Sequence, residues 1–317
     1  MYQTILHDFD MRMLMDSGQV FRICCCGENT YAVASGRHLV RIRQTACGPS
    51  KEGTLSAFGM SGEGVSVEFS CSPQEFDSYW HNYFDLSTDY GAMKKAVDPK
   101  DSFLTSAISY GGGIRILRQD LWETILCFLI SQNNNITRIR NSVDALCRRY
   151  GERLEPEGFL TGEESLSERA FYSFPEPEKI ASGGLEGLQG LGLGYRDKYI
   201  LAMAKRCCNG SGKEFFHSLQ NADYEEAIAI LTGEFGIGRK VADCICLFAL
   251  HHIDAFPVDT HVKQILAAYY PKGFPFERYQ GFAGVIQQYM FYYKLSLPSS
   301  RTKKEAVKPA PARKKIS

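Results

Sequence analysis

The chain has 317 residues, 44% hydrophobic and 23% charged, with 36 Lys+Arg balanced by 36 Asp+Glu. That length supports two packed domains with a sizeable core, and the composition excludes the disordered and fibrous classes. No run reaches the roughly 18 apolar residues of a membrane span, and residues 1–10 lack the basic start and apolar core of a secretory signal, so an intracellular location is expected.

Short alternating runs at residues 20–26, 31–36, 38–44 and 65–70, split by Gly and Asn turns, predict an antiparallel sheet with one wet face. Ser72, followed by Pro73 and Glu75, reads as an N-cap before a helix reaching Tyr83. Beyond residue 102 the period becomes helical. One helix spans 121–130, the polar stretch 131–135 interrupts it, and an amphipathic helix follows at 136–150. Residues 178–204 hold two short helices joined at 191–195. Helices at 224–231, 239–250, 262–270 and 279–292 complete a bundle. This divides the chain into a sheet domain (1–102), a helical domain (103–297) and a Pro-, Ala- and Lys-rich tail (298–317) expected to be disordered.

Eleven cysteines form no disulfide framework. Cys24, Cys25 and Cys26 are consecutive, while Cys127, Cys147, Cys244 and Cys246 lie in apolar helical patterns, which reads as reduced thiols. No Cys-x-x-Cys has a matching second pair, and no cysteine follows Cys246, so neither a zinc site nor an iron–sulfur loop near the C-terminus is expected. Residues 301–317 carry seven Lys/Arg and one Glu, a net of +6, so the first 300 residues sum to −6. Affinity for a polyanion must then come from a local basic face and backbone amides.

The stretch 231–250 is the most informative. A helix ends near Gly233, the pair Gly236-Ile-Gly238 turns the chain, and a helix starts at Arg239. Two glycines two apart let backbone approach another group, and the following helix start offers free N–H groups to a phosphate, with Arg239 and Lys240 adding charge. Downstream, Pro257-Val-Asp259 precedes a helical run, making Asp259 a natural N-cap. One amine and one carboxylate thus stand at the starts of two sequential helices. Taken alone, Gly-x-Gly equally suits a plain helical hairpin.

The segment Phe235-Gly-Ile-Gly-Arg-Lys-Val-Ala-Asp-Cys244, with Pro257-Val-Asp-Thr-His261, resembles the helix-hairpin-helix and Gly/Pro-Asp signature of eukaryotic-type 8-oxoguanine DNA glycosylases. The likeness spans roughly residues 12–293 and departs at Glu234-Phe235, where the family usually has Leu-Pro. It implies an α+β fold, with an N-terminal antiparallel sheet domain like that of the TATA-binding protein and an all-α helix-hairpin-helix domain. It also implies double-stranded DNA containing 8-oxoguanine as the partner, and a monomer.

The same resemblance implies the site. Lys240 would attack the anomeric carbon and form a Schiff base, which requires burial to favour the free amine. Asp259 would stabilise the cationic sugar. The target base must leave the stack. Asn133 and Arg138 of Ser131-Gln-Asn-Asn-Asn-Ile-Thr-Arg138 would then hold the orphaned cytosine. Tyr195 would wedge the stack and Arg196 would bond the cytosine. The carbonyl of Gly18, in Ser17-Gly-Gln-Val-Phe-Arg22, would face the lesion's N7–H, a discrimination of about 1–3 kcal/mol. Gln287 would bond the base edge, with Phe291 and Cys244 covering its two faces. Gly236, Gly238 and His261 would bind phosphates. The carbonyls of Thr232, Glu234 and Ile237 would hold a structural monovalent or calcium cation, and catalysis would need no cofactor. Two other readings are a glycosylase for another damaged base and a non-catalytic helix-hairpin-helix DNA-binding protein.

Overall fold

The computed structural model describes residues 1–46, 64–156 and 169–297. The basic tail lies outside them. Five antiparallel strands, β1 (Tyr2–Leu6), β2 (Ile23–Gly27), β3 (Thr30–Ser35), β4 (His38–Ala46) and β5 (Val65–Phe69), form one sheet in the order β1-β5-β4-β3-β2. Alternation sets its inner face: Val65, Val67 and Phe69 of β5 are buried. They join Val33, Val40 and Ile42 in a core with Phe76, Trp80 and Phe84.

The expected wet outer face is only partly wet. Every residue of β3 is buried, because Leu154 and Phe171 cover Ala32, Ala34 and Leu39 on its second side. These two come from a small ribbon, β6 (Arg153–Leu154) and β7 (Phe171–Tyr172), so the helical part is not wholly α. β1 also went unpredicted, as did α1 (Met11–Asp16), which Asp10 caps.

The helix after Ser72 runs as α2 (Pro73–Glu75), a π turn (Phe76–Trp80) and α3 (His81–Tyr83), followed by α4 (Tyr90–Lys95). The bundle comprises α5 (Ser102–Gly111), α6 (Leu121–Ser131), α7 (Ile136–Tyr150), α8 (Pro177–Gly187), α9 (Asp197–Cys207), α10 (Asn209–Asn221), α11 (Tyr224–Thr232), α12 (Arg239–Phe248), α13 (Thr260–Tyr269) and α14 (Ala283–Ser296). Every residue from Leu121 to Ile130 of α6 is buried, making it the bundle's central helix. α10 was unpredicted. Its opening Asn-Gly-Ser-Gly has poor helix propensity, but Phe215 and Leu219 anchor it in the core.

Sheet and bundle are bolted together by buried polar groups. Glu123 of α6 accepts from Arg22 at 2.7 Å and from the Gly36 amide at 2.8 Å. Arg115 donates to the carbonyls of Phe84, Asp85 and Thr88 and stacks on Tyr90. No described helix is long and apolar enough to cross a membrane.

Candidate active site

The hairpin between α11 and α12 depends on Gly236. Its φ is +92°, and a Cβ there would sit 2.5 Å from Cγ of Tyr199. Gly238 then caps α12 without any side-chain hydrogen bond, leaving first-turn N–H groups to an outside acceptor. The two cations that follow diverge. Arg239 turns away to Asp243 (3.0 Å) and the Tyr224 hydroxyl (3.0 Å), so its charge is paired rather than added to the hairpin as the sequence suggested. Lys240 turns inward, half-buried, with Nζ 5.5 Å from the Phe128 ring centroid.

One turn along α12, Cys244 meets Lys240 through a hydrogen bond. Burial pushes its thiol up, the Lys240 charge and hydrogen bond pull it down, and the Asp243 and Asp259 charges push it up again. Asp259 caps α13 as its spacing predicts, accepting the Val262 N–H at 2.8 Å. Amine, thiol and carboxylate therefore share one locality at two helix starts.

The facing wall is α14. Gln287, only 3% exposed, donates to the Pro257 carbonyl at 3.0 Å, two residues before Asp259. Phe291, four residues on and therefore on the same face, meets exposed His261 edge-on with ring centroids 5.9 Å apart. Against Phe291 lies Gly18, φ +77°, where a Cβ would stand 3.1 Å from the ring. The Gly18 loop is locked from below. Ser17 Oγ donates to Leu14 O at 2.7 Å, and the Gln19 amide donates to Arg115 O and accepts from Leu117 N–H, each at 2.9 Å.

A second cluster lies at the end of α6. Asn133 has φ +48° and donates to the Tyr195 hydroxyl at 3.1 Å. Tyr195 is 48% exposed. Arg138, in the first turn of α7, is exposed, and its N–H bonds the capping Asn135. Arg196 is buried. It donates to the carbonyls of Gln132, Leu193 and Asn133 and lies over the Tyr195 ring. Four of its five N–H groups are engaged by the turn, so a bidentate contact with a cytosine would require it to leave some of these carbonyls. Gln132 ties this cluster to the hairpin by donating to Gly236 O at 3.0 Å.

Residues 2–125 match the family model described as 8-oxoguanine DNA glycosylase, N-terminal domain, and residues 126–272 match that of the HhH-GPD superfamily base excision DNA repair protein. A solved structure of Clostridium acetobutylicum 8-oxoguanine glycosylase/lyase in its apo-form aligns over 92% of this chain and 96% of that one, with 30% identity and a TM-score of 0.75. The chain belongs to the 8-oxoguanine DNA glycosylase family.

Two curated relatives agree with this family assignment. The Arabidopsis thaliana N-glycosylase/DNA lyase OGG1 is 30% identical over 83% of this chain and 66% of its own length. The Saccharomyces cerevisiae N-glycosylase/DNA lyase is 38% identical over 48% and 41% respectively. The chain thus spans less than two thirds of either relative.

For this family member, the geometry gathers the expected residues into two groups. Lys240 meets Cys244, whose thiol feels Asp259. Beside Asp259 the chain meets α14, where the Pro257 carbonyl takes Gln287, His261 meets Phe291 and Phe291 packs on Gly18. Asn133, Tyr195 and Arg196 cluster at the other turn, with Arg138 exposed on the helix that follows it. Sequence reasoning missed the residues that hold them, namely Ser17, Gln19, Gln132 and Tyr199. Ser17 and Gln19 flank Gly18 in a quoted motif, and that adjacency was the one available signal. Phe235, where the family motif departs, is 61% exposed and packs edge-on against Tyr199 at 5.0 Å.

Proposed function

We propose that this protein excises 8-oxoguanine opposite cytosine from duplex DNA and then nicks the strand, with Lys240 as nucleophile. The observation that carries the reading is the placement of Lys240 at the hairpin exit, turned inward and hydrogen-bonded to Cys244, whose thiol also feels the Asp259 carboxylate. The Lys240 amine attacks C1′, the glycosidic C–N bond breaks, and the base leaves with a proton. The resulting imine acidifies the C2′ proton, and its loss expels the 3′ phosphate by β-elimination. Asp259 stabilises the cationic sugar. The Clostridium acetobutylicum enzyme, similar over 94% of this chain at 29% identity, was solved with DNA containing cytosine opposite 8-oxoguanine, which supports the substrate.

Base recognition follows from the same placement. The Gly18 carbonyl reads N7–H, Gln287 bonds the base edge, and Phe291 and Cys244 cover its faces. Exposed Asn133 and Arg138 meet the orphaned cytosine, joined by Arg196 once released, and Tyr195 fills the stack. The amides at Gly236 and Gly238, together with His261, hold phosphates. A structural monovalent or calcium cation on the Thr232, Glu234 and Ile237 carbonyls belongs to this reading. Glu234 and Ile237 bound the turn closed by Ile237 N–H to Glu234 O at 3.1 Å, and Thr232 ends α11 with its hydroxyl turned back to Ile228 O.

Borohydride trapping on an 8-oxoguanine:cytosine duplex tests the proposal. The native chain is expected to yield a covalent adduct, whereas Lys240→Gln should bind the duplex and yield none. An undiminished adduct from Lys240→Gln rules the assignment out.

A further inference from the structure

β2 is an edge strand of the sheet and carries Cys24, Cys25 and Cys26 in succession. Alternation puts Cys24 and Cys26 on one face and Cys25 on the other. The register shifts between Cys25 and Gly27, a bulge that bends the strand. The Cys24 and Cys26 sulfurs consequently lie 3.8 Å apart, in hydrogen-bond contact. Cys25 is exposed, with its thiol turned to Gly27 O. The shared face of Cys24 and Cys26 is half-buried against Ala32, Ala34, Leu39, Leu154 and Phe171. A cleft of about 330 Å³, lined by Cys24 and Cys25 but not by Cys26, opens between this sheet edge and α7.

The proton is shared unequally. The hydrogen bond shared with Cys24 holds the Cys26 thiol down to about 7, against the effect of burial and aided by the charges of Arg41 and Arg169. The same bond, with burial, pushes Cys24 up. Cys26 is the thiol drawn toward its thiolate, and the Cys24 sulfur stands within hydrogen-bond reach of it.

We propose that Cys24 and Cys26 form a two-electron oxidation site that takes a hydroperoxide, with Cys26 attacking and Cys24 resolving. The Cys26 thiolate attacks one peroxide oxygen, the O–O bond breaks, and the displaced oxygen leaves as hydroxide or alkoxide and takes up a proton. Cys26 becomes a sulfenic acid. The Cys24 sulfur then attacks Cys26, its proton leaves with the hydroxyl as water, and an S–S bond forms. Two thiols lose two electrons, and the peroxide is reduced to water and alcohol. Closure takes the sulfurs from 3.8 Å to about 2.05 Å. The site is independent of Lys240 and of the glycosylase reading.

The test treats the full, reduced chain with stoichiometric hydrogen peroxide at pH 7. Remaining thiols are alkylated, and tandem mass spectrometry of the digest locates the losses. Cys24 and Cys26 should disappear together, as a peptide lacking two hydrogens, several-fold faster than the exposed Cys25 is modified. Cys26→Ser should protect Cys24. Cys24→Ser should leave Cys26 as a sulfenic acid captured by dimedone, and Cys25→Ser should change neither. Oxidation of Cys25 ahead of Cys26 in the native chain overturns the proposal without recourse to any variant, as does undiminished loss of Cys24 in a folded Cys26→Ser.

Discussion

Arg239 and Lys240 are adjacent on α12 and equally charged, yet their surroundings assign them different work. Asp243 and Tyr224 sit where Arg239 projects, so its charge is consumed in fastening α12 to α11. Lys240, one residue and about 100° further round the helix, faces Phe128 and Cys244. Gln287 is a comparable case on α14, because its amide nitrogen is engaged by Pro257 O at 3.0 Å. Gln287→Ala should weaken binding of a lesion duplex by about 1–3 kcal/mol, roughly five- to 150-fold in Kd. Borohydride trapping at a pre-formed abasic site should be spared. Equal losses in both assays would mean that the side chain serves only to hold the segment carrying Asp259.

Three loops that are far apart in the chain act as one element on the candidate DNA face. The Gln132 side chain reaches the hairpin at Gly236 O, its backbone carbonyl takes Arg196, and Asn133 bonds Tyr195. Tyr199 completes the unit from below, edge-on to both Tyr195 and Phe235. Gln132→Ala removes the side-chain tie and leaves the Arg196 contacts intact. It should cost about 1–3 kcal/mol of binding to an abasic-analogue duplex, with the far-UV circular dichroism unchanged. Unaltered affinity in a filter-binding titration would show that hairpin and wedge move independently.

Across the whole molecule, the joint between sheet and bundle holds ionised groups whose protonation bears on stability. Asp85 ends the helix that follows Ser72, and its carboxyl accepts from Arg118 at 2.9 Å, Tyr90 at 2.9 Å and His251 at 3.4 Å. Burial alone would raise this carboxyl, but the bonds from His251, Arg118 and Tyr90 outweigh it and hold it down to about 2, below its ordinary 3.8. The folded chain then binds fewer protons than the unfolded chain between those values. The contribution, about 2 kcal/mol, is complete above roughly pH 5 and is lost as pH falls through 3.8 toward 2. Urea unfolding of Asp85→Asn at successive pH values should show a flatter acid arm than the native chain. Coincident arms would remove Asp85 from the account.

What could be read directly from the residues was whatever repeats or terminates within a few positions. The alternation of β5, the helical period of α7, the Gly236/Gly238 turn and the capping Asp259 are all local signals, and each element is present. The family motif added the site residues, since Gly18 and Lys240 have no spacing in common. The partners were not legible. Gln132 bonds a carbonyl 104 positions away and Gln19 a carbonyl 96 away, and no periodicity encodes such a pairing. β1 exists because β5 offers it an edge, and α10 because the core accepts Phe215 and Leu219. Packing alone decided that Arg239 would be neutralised while Lys240 turned inward, because a side chain's charge is local but its counter-charge is supplied by whatever the fold brings beside it.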